Sequence, residues 1–486
     1  MRVLFWLTIK PYSDRLKLTI YLMDFLMKNL EIVTLALSST LLFGCGGGGG
    51  SAPEVKIATK IAVDNDYTFP TNINPWFAGF LSNTDGTETL ILSTMDQHKA
   101  TEFTPPTPIL AINVIGNTVV NDTSKLFADI PSYYFTRSVR TFNHPKTKTP
   151  AIWFCNTGRE VDEAKAIPRV NGKWGEQDGL YVMENGKFVN HTHTLPQIVD
   201  FSHGCDVSVN GNETLLIKNT LSWLNSQEQQ YAYKFIDDKW VSELPYQSLG
   251  FVSNNNIFTN STTPFFATSI KMQGSNAFMF GNGLVKKTND SYSLSVLPKT
   301  DLDINGYSHV QGSFTGDLNN DGHDDLVFIK SSDGIKIKPF LIGTKVEIWF
   351  NDGNGNFTYK ENSILGFYDE DNFSLDLRFI DINFDGYLDI VSFGQRYVNP
   401  CQPSPSCHYK SIDKVLINNG NNTFTVRTIN DEALNQRCIG KCNISLWFLK
   451  QGKNSFSMVS HTVSNDLNVH KLIAKTYTKE SPLPLR

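Results

Sequence analysis

The chain has 486 residues, of which 40% are hydrophobic, 12% aromatic and 19% charged. This composition supplies enough apolar side chains for a large folded core and argues against intrinsic disorder. The formal net charge of −5 at pH 7 argues against a nucleic-acid partner, because polyanions attract basic surfaces, and it mildly favours cation binding.

The N-terminal segment has the features of an exported lipoprotein. Lys28 precedes an apolar run at positions 32–43, and the run ends in the sequence LFGC, whose cysteine is Cys45. This pattern resembles a bacterial lipoprotein signal, in which the cysteine is lipidated and becomes the new N-terminus. The alternative is an ordinary secretory signal or a membrane anchor, although the apolar run is short for a bilayer span of ~20 residues.

Three segments follow from this interpretation. We predict that residues 1–44 are an upstream extension and signal peptide, that residues 45–60 form a glycine-rich tether, and that residues 61–486 form the folded domain. The signal and tether are expected to be disordered. We expect export to the bacterial outer membrane, with Cys45 as the lipidation site and the domain facing either the periplasm or the exterior.

The remaining cysteines fit an oxidising compartment. They are the disulfide candidates Cys155, Cys205, Cys401, Cys407, Cys438 and Cys442. Local spacing favours Cys401 with Cys407 and Cys438 with Cys442, which leaves Cys155 with Cys205, but the sequence alone does not determine the connectivity. Zinc binding at the CxxxC pair is the alternative, and no second Cys/His pair supports it.

Two similar acidic loops mark a repeat. The sequence DLNNDGHDD (317–325, the first acidic loop) matches DINFDGYLD (381–389, the second acidic loop), and each continues into an apolar run. Turns elsewhere in the chain also precede similar apolar runs, and each has a residue equivalent to the ninth position of this loop. These residues are at positions 89, 150, 214, 276, 325, 389 and 455. The near-constant interval predicts an array of seven units, with one shorter step after position 276.

The units contain strands rather than helices. Asn/Gly-rich turns between apolar runs predict hairpins at 180–189, 348–360 and 416–426. Seven four-stranded units predict an all-β, seven-bladed β-propeller over residues 61–486. Residues 54–63 are expected to supply the outer strand that closes the ring, and 431–438 is the best helical candidate. Two domains divided near Pro298 are the alternative.

The acidic loops concentrate hard oxygen donors, which suit calcium. The predicted ligands are Asp317, Asn319, Asp321, Asp325 and the His323 carbonyl in the first loop, and Asp381, Asn383, Asp385, Asp389 and the Tyr387 carbonyl in the second. An EF-hand is excluded, because position twelve is not Glu and no helix follows. The alternative is a metal-free turn in which side chains bond the backbone.

These loops resemble the FG-GAP/VCBS repeats of integrin α-chain propellers and of secreted bacterial proteins. The resemblance implies about two structural calcium ions, one in each acidic loop, and no catalysis by them. A weaker version of the motif lies in the third unit, where Asp206, Ser208 and Asn210 are weak metal candidates and Thr214 replaces the last acid.

No catalytic motif stands out. His191 and His193 are two residues apart, which predicts that they lie on one face of a strand. Repeated aromatic-Ser-His segments precede two units. For these histidines a packing role is favoured over a transition-metal site. Trp174, Trp223, Trp240, Trp349 and Trp447 are interpreted as blade core rather than a sugar-stacking face.

The expected function is therefore recognition of a glycan or protein ligand at the cell envelope by a calcium-stabilised propeller. The alternatives are a polysaccharide lyase or hydrolase with its site at the propeller centre, and a structural or assembly component of the outer membrane. The catalytic residues of such an enzyme are unknown.

Overall fold

The computed structural model describes residues 66–70, 73–96, 106–158, 175–222, 227–243, 267–272, 275–280, 282–332, 336–337, 342–360, 365–397, 409–410, 414–430, 445–463 and 470–486. Residues 63–486 form one compact unit. The fold is a seven-bladed β-propeller of four-stranded antiparallel sheets.

The first three complete blades follow one another along the chain, after a short strand β1 (Tyr67–Thr68). Blade 1 contains β2 (Ile73–Ser82), β3 (Glu88–Asp96), β5 (Leu110–Ile115) and β6 (Thr118–Asn121), and β4 (Thr107–Pro108) pairs with β7 (Ser132–Tyr133) beside it. Blade 2 contains β8 (Thr136–Asn143), β9 (Pro150–Asn156), β11 (Gly179–Glu184) and β12 (Lys187–Asn190). Blade 3 contains β13 (Val199–Asn210), β14 (Glu213–Ser222), β15 (Gln227–Ile236) and β16 (Lys239–Ser242), with β10 (Glu176–Gln177) paired to β13.

The other four blades complete the ring. Blade 4 contains β17 (Ala267–Met272), β18 (Ser275–Phe280), β19 (Gly283–Thr288) and β20 (Ser291–Val296). Blade 5 contains β21 (His309–Gly316), β22 (Asp325–Ser331), β23 (Ile342–Asn351) and β24 (Phe357–Tyr359). Blade 6 contains β25 (Leu365–Ile380), β26 (Asp389–Tyr397), β28 (Lys414–Asn418) and β29 (Phe424–Thr428), with β27 (Tyr409–Lys410) paired to β26. Blade 7 contains β30 (Ser445–Lys450), β31 (Ser455–Val463) and β32 (His470–Thr478), and β1 is its fourth strand.

An N-terminal strand closes the ring, as the sequence predicted, but a different segment provides it. Tyr67 pairs with Leu472 and Thr68 pairs with Lys471. Phe69, which follows, is 4% exposed and packs in the core between blades 7 and 1. The predicted closing segment 54–63 lies outside the described residues.

The seven-unit periodicity is confirmed by the second strands. They begin at Glu88, Pro150, Glu213, Ser275, Asp325, Asp389 and Ser455, each within one residue of the predicted series. The predicted hairpins are present as β11–β12, β23–β24 and β28–β29. The sequence interval between the second strands of blades 4 and 5 is shorter than the others, because two-residue turns join the last three strands of blade 4. The two-domain alternative is not observed.

The apolar core lies between the blades. Each of seven buried clusters joins residues of two adjacent blades, and together the clusters follow the complete ring. Trp240, Trp349 and Trp447 are at most 3% exposed and lie in these clusters, which confirms their interpretation as blade core. Trp174 and Trp223 lie outside the residues whose side chains are described.

A disulfide joins blades 2 and 3. Cys155 in β9 is bonded to Cys205 in β13, with an S–S distance of 2.03 Å, which is the pairing that local spacing left for these two residues. The other four disulfide candidates and the lipidation candidate Cys45 lie outside the described residues.

Helical structure is confined to single turns in the described ranges. The segments are α1 (Thr123–Leu126), α2 (Asp301–Ile304) and a 3₁₀ turn at Thr192–Thr194. Within this described part, no helix is long and apolar enough to cross a membrane. The predicted helix at 431–438 lies outside it.

Candidate functional site

The two acidic loops adopt the same backbone conformation. Each connects the first and second strands of its blade, in blades 5 and 6 respectively. Gly322 and Gly386 have φ of 88° and 95°, a region that glycine enters without steric cost. Asn320 and Phe384, at the fourth position, have φ of 59° and 62°. The compact bend that the sequence predicted is therefore present in both loops.

The carboxylates of each loop accept matching backbone hydrogen bonds. Asp317 accepts from the N–H groups of Asp321 (3.0 Å) and Gly322 (2.9 Å), and Asp321 accepts from the N–H of His323 at 2.9 Å. In the second loop, Asp381 accepts from Asp385 and Gly386, and Asp385 accepts from Tyr387. Asn319 and Asn383 each donate a side-chain bond to the fifth-position carboxylate.

The ninth-position aspartates are buried. Asp325 and Asp389 are both 0% exposed. Asp325 accepts from the N–H of Leu318 in its own loop and of Asn351 at the end of β23. Burial, reinforced by the nearby carboxylates of Asp321 and Asp317, raises the pKa of Asp325 to about 7.

The second loop repeats this arrangement. Asp389 accepts from the N–H of Ile382 and of Asn418 at 2.9 and 2.8 Å, and burial together with Asp385 and Asp381 raises its pKa to about 7. Both ninth-position carboxyl groups are therefore harder to ionise than an ordinary aspartate.

Each loop also rests on an Asn-x-Gly turn of its own blade, which sequence analysis identified only as a hairpin. Asn351 caps the N–H of Gly353, and Asn418 caps the N–H of Gly420. The side-chain ring at the seventh position of each loop, His323 or Tyr387, lies over the glycine of this turn. A Cβ on that glycine would overlap the ring. The available signal was the Asn-x-Gly sequence, which recurs after both acidic loops.

The donor set fits a hard cation, because it consists of carboxylate and amide oxygens. In the structure these oxygens form Asx turns, and the described residues contain no group of three or more His, Cys, Asp or Glu side chains arranged to hold a metal ion. Calcium binding therefore stays a prediction for both loops, including the carbonyl ligands of His323 and Tyr387.

The third-unit motif does not form an acidic loop. Asp206, Ser208 and Asn210 lie within β13, and a two-residue turn follows before Glu213. Asp206 instead accepts from Arg140 Nε of blade 2 (3.1 Å) and from the N–H of Ser269 of blade 4 (2.6 Å). This aspartate links three blades.

The histidines do not occupy the predicted strand. His191 and His193 lie at a 3₁₀ turn rather than on a strand face, because β12 ends at Asn190. Their ring centroids are 5.7 Å apart, and His191 Nε2 lies 2.7 Å from Glu184 Oε1. His144 packs against Phe235, and burial lowers its pKa to about 4.

A different group of side chains lies on the first strands of blades 1 and 2. From blade 1 to blade 7, the first strands of successive blades contact one another. In blades 1, 2, 3 and 5 the first strand has a β-bulge near its N-terminal end. Bulges redirect side chains and are frequent next to functional sites. The bulged residues of blades 1 and 2 are Trp76, Phe77 and Arg137.

These bulges assemble an aromatic and cationic patch. The Trp76 ring lies 5.7 Å from Phe135 and 5.9 Å from Phe77, between centroids. The Arg137 guanidinium carbon lies 5.6 Å from the Phe135 ring centre. Trp76, Phe77 and Arg137 are partly exposed, and the Trp76 Nε1–H has no hydrogen-bond partner. Trp76 was not predicted as a site residue, because no sequence pattern distinguishes it from core tryptophans.

Comparison with known proteins identifies the repeat. Residues 317–392, which include both acidic loops, match the FG-GAP-like repeat family. No curated protein matches the sequence.

Solved structures provide distant fold similarities. An α-L-arabinofuranosidase from Lactobacillus brevis is 12% identical over 60% of this chain and 96% of that chain, with a TM-score of 0.33. A Trypanosoma rangeli sialidase is 10% identical over 71% of this chain and 56% of that chain (TM-score 0.35). A GH32 β-fructofuranosidase from Bombyx mori is 12% identical over 85% and 93% (TM-score 0.33).

Proposed function

We propose that this chain, a seven-bladed β-propeller with an FG-GAP-like repeat, is an envelope lipoprotein that binds a glycan or protein ligand and is stabilised by two calcium ions. The observation that supports ligand binding is the partly exposed patch of Trp76, Phe77 and Arg137, which surrounds the buried Phe135 ring. Aromatic rings stack on the apolar faces of sugars, and a guanidinium binds carboxylate or sulfate groups. The patch therefore favours a glycan, and an acidic one, over a protein.

Calcium has a supporting role in this proposal. Each acidic loop joins the first and second strands of its blade, and each contains a buried carboxylate with a raised pKa. A bound divalent cation would compensate this charge and hold the loop to the Asn-x-Gly turn beneath it. The rigid ring then keeps the first strands, and with them the patch, in one geometry.

Glycan binding is tested with the full chain in calcium. Wild-type protein is titrated with acidic and neutral polysaccharides by calorimetry, beside Trp76→Ala and the control Ile115→Ala, which removes an apolar side chain that is 69% exposed on blade 1. We expect the acidic polysaccharide to bind, and Trp76→Ala to weaken binding at least tenfold while Ile115→Ala does not. Equal affinity of both variants for the polysaccharide, with unchanged melting temperatures, would exclude the patch as the glycan-binding site.

A further inference from the structure

A cluster of reactive side chains lies between blades 3 and 4 and includes no residue of the acidic loops or of the aromatic patch. Asn276 in β18 and Lys287 in β19 are directly opposite each other in the sheet, and they are 2% and 3% exposed. Glu213 of blade 3 joins them: its Oε1 accepts from Lys287 Nζ and its Oε2 from Asn276 Nδ2, both at 2.7 Å. The amine and the carboxamide thus share one carboxylate.

Two further contacts complete the cluster. Ser208 Oγ donates to Asn276 Oδ1 at 2.9 Å, and Ser208 is 3% exposed. Glu243 Oε2 accepts a second bond from Lys287 Nζ at 2.7 Å. Acyl transfer requires three groups. They are a nucleophilic nitrogen, a carboxylate between that nitrogen and the leaving group, and a hydroxyl donor at the carbonyl oxygen.

We propose that Lys287 and Asn276 form an intramolecular amide bond, with Glu213 as the group that transfers protons. Glu213 takes a proton from the Lys287 ammonium, and the neutral amine attacks Cγ of Asn276. Ser208 donates to Oδ1 as negative charge develops there. Glu213 then protonates Nδ2, the Cγ–Nδ2 bond breaks, and ammonia leaves with the proton that the new amide nitrogen releases. No oxidant or cofactor is needed.

Burial and charge favour this reaction. Lys287 is 3% exposed, so little water reaches the amine and the carboxamide to compete for the acyl carbon. When Lys287 becomes a neutral amide, the two carboxylates keep a cation, because Lys234 Nζ lies 3.0 Å from Glu213 and 3.7 Å from Glu243. A cross-strand pair also brings the two side chains together, since opposite Cβ atoms are ~5 Å apart.

The chain contains a matched internal control. Lys218 is also buried, at 2% exposed, and its Nζ lies 3.0 Å from Asp178 Oδ2 and 3.3 Å from Ser202 Oγ. Its partner is a carboxylate rather than a carboxamide, so no ammonia can leave. We expect Lys218 to remain an unmodified lysine.

The experiment is a tryptic digest of the purified full chain, analysed by mass spectrometry. The amide bond blocks cleavage after Lys287 and joins residues 272–286 to residues 287–299. The joined species should be lighter than its two peptides by one ammonia. Glu213→Gln should abolish it, and Lys287→Arg should abolish it whether or not Glu213→Gln folds.

The outcomes separate this proposal from a permanent ion-pair network. Asn276→Ala should abolish the joined species, because no side-chain carbonyl carbon remains for the amine to attack. Complete recovery of separate, unmodified peptides 272–286 and 288–299 from folded wild-type protein would overturn the proposal, as would a joined species that persists in Lys287→Arg.

Discussion

Asp321→Ala tests the calcium role at the first acidic loop. Calcium that binds only the folded state stabilises it by RT ln(1 + [Ca]/Kd), about 4 kcal/mol at a thousandfold excess over Kd. Loss of one carboxylate ligand that weakens binding about a hundredfold would remove about 2.7 kcal/mol of this stabilisation. In chelator the change should be small, because the lost bond from the His323 N–H (2.9 Å) is offset by relief of repulsion with Asp325.

The assay is thermal melting in calcium and in chelator, with bound calcium counted in parallel. Wild type should bind about two ions, and in Asp321→Ala one of the two sites should need about a hundredfold more calcium for half-occupancy. The control is Asp352→Ala in the same blade. This change removes an exposed carboxylate that accepts from the N–H groups of Asn354 and Asn356. Its effect should be equal in both conditions. An Asp321→Ala loss that is also equal in both conditions would refute the calcium role.

Three other changes give distinct results. Asn418→Ala should lower the free energy of unfolding by about 2–3 kcal/mol, because the buried Leu318 carbonyl and Gly420 N–H lose a partner. Urea titration measures this change, with the exposed Asn419→Ala as the control. Equal losses in the two variants would contradict the role of Asn418. His144 has a pKa lowered to about 4 from 6.5, so its protonation favours the unfolded state and stability is lost as pH falls below 6.5. Between pH 7.5 and 5, wild type should lose about 2 kcal/mol more than His144→Gln, and parallel pH profiles would exclude the effect. Cys45→Ala should release the protein from membranes on fractionation, and unchanged fractionation would remove the lipoprotein assignment.

Hydrophobic periodicity and turn residues determined the architecture from the sequence. The start of every second strand was predictable because a buried strand between two turns is a local pattern of a few residues, and a propeller repeats that pattern at a constant interval. The bends at Gly322 and Gly386 were predictable for the same reason, since the residues that form them are adjacent in the chain.

Contacts between blades were decided only by the tertiary structure. Asp206 has the sequence context of a weak metal ligand, yet it bonds to Arg140 and Ser269, because the ring brings three blades to one point. Glu213 likewise reaches Asn276 and Lys287 from a neighbouring sheet. The sequence indicates where the second strand of each blade is buried, because that strand is a continuous apolar run between two turns. Which polar groups meet between blades depends on how the sheets pack around the axis, and no local pattern encodes that distance.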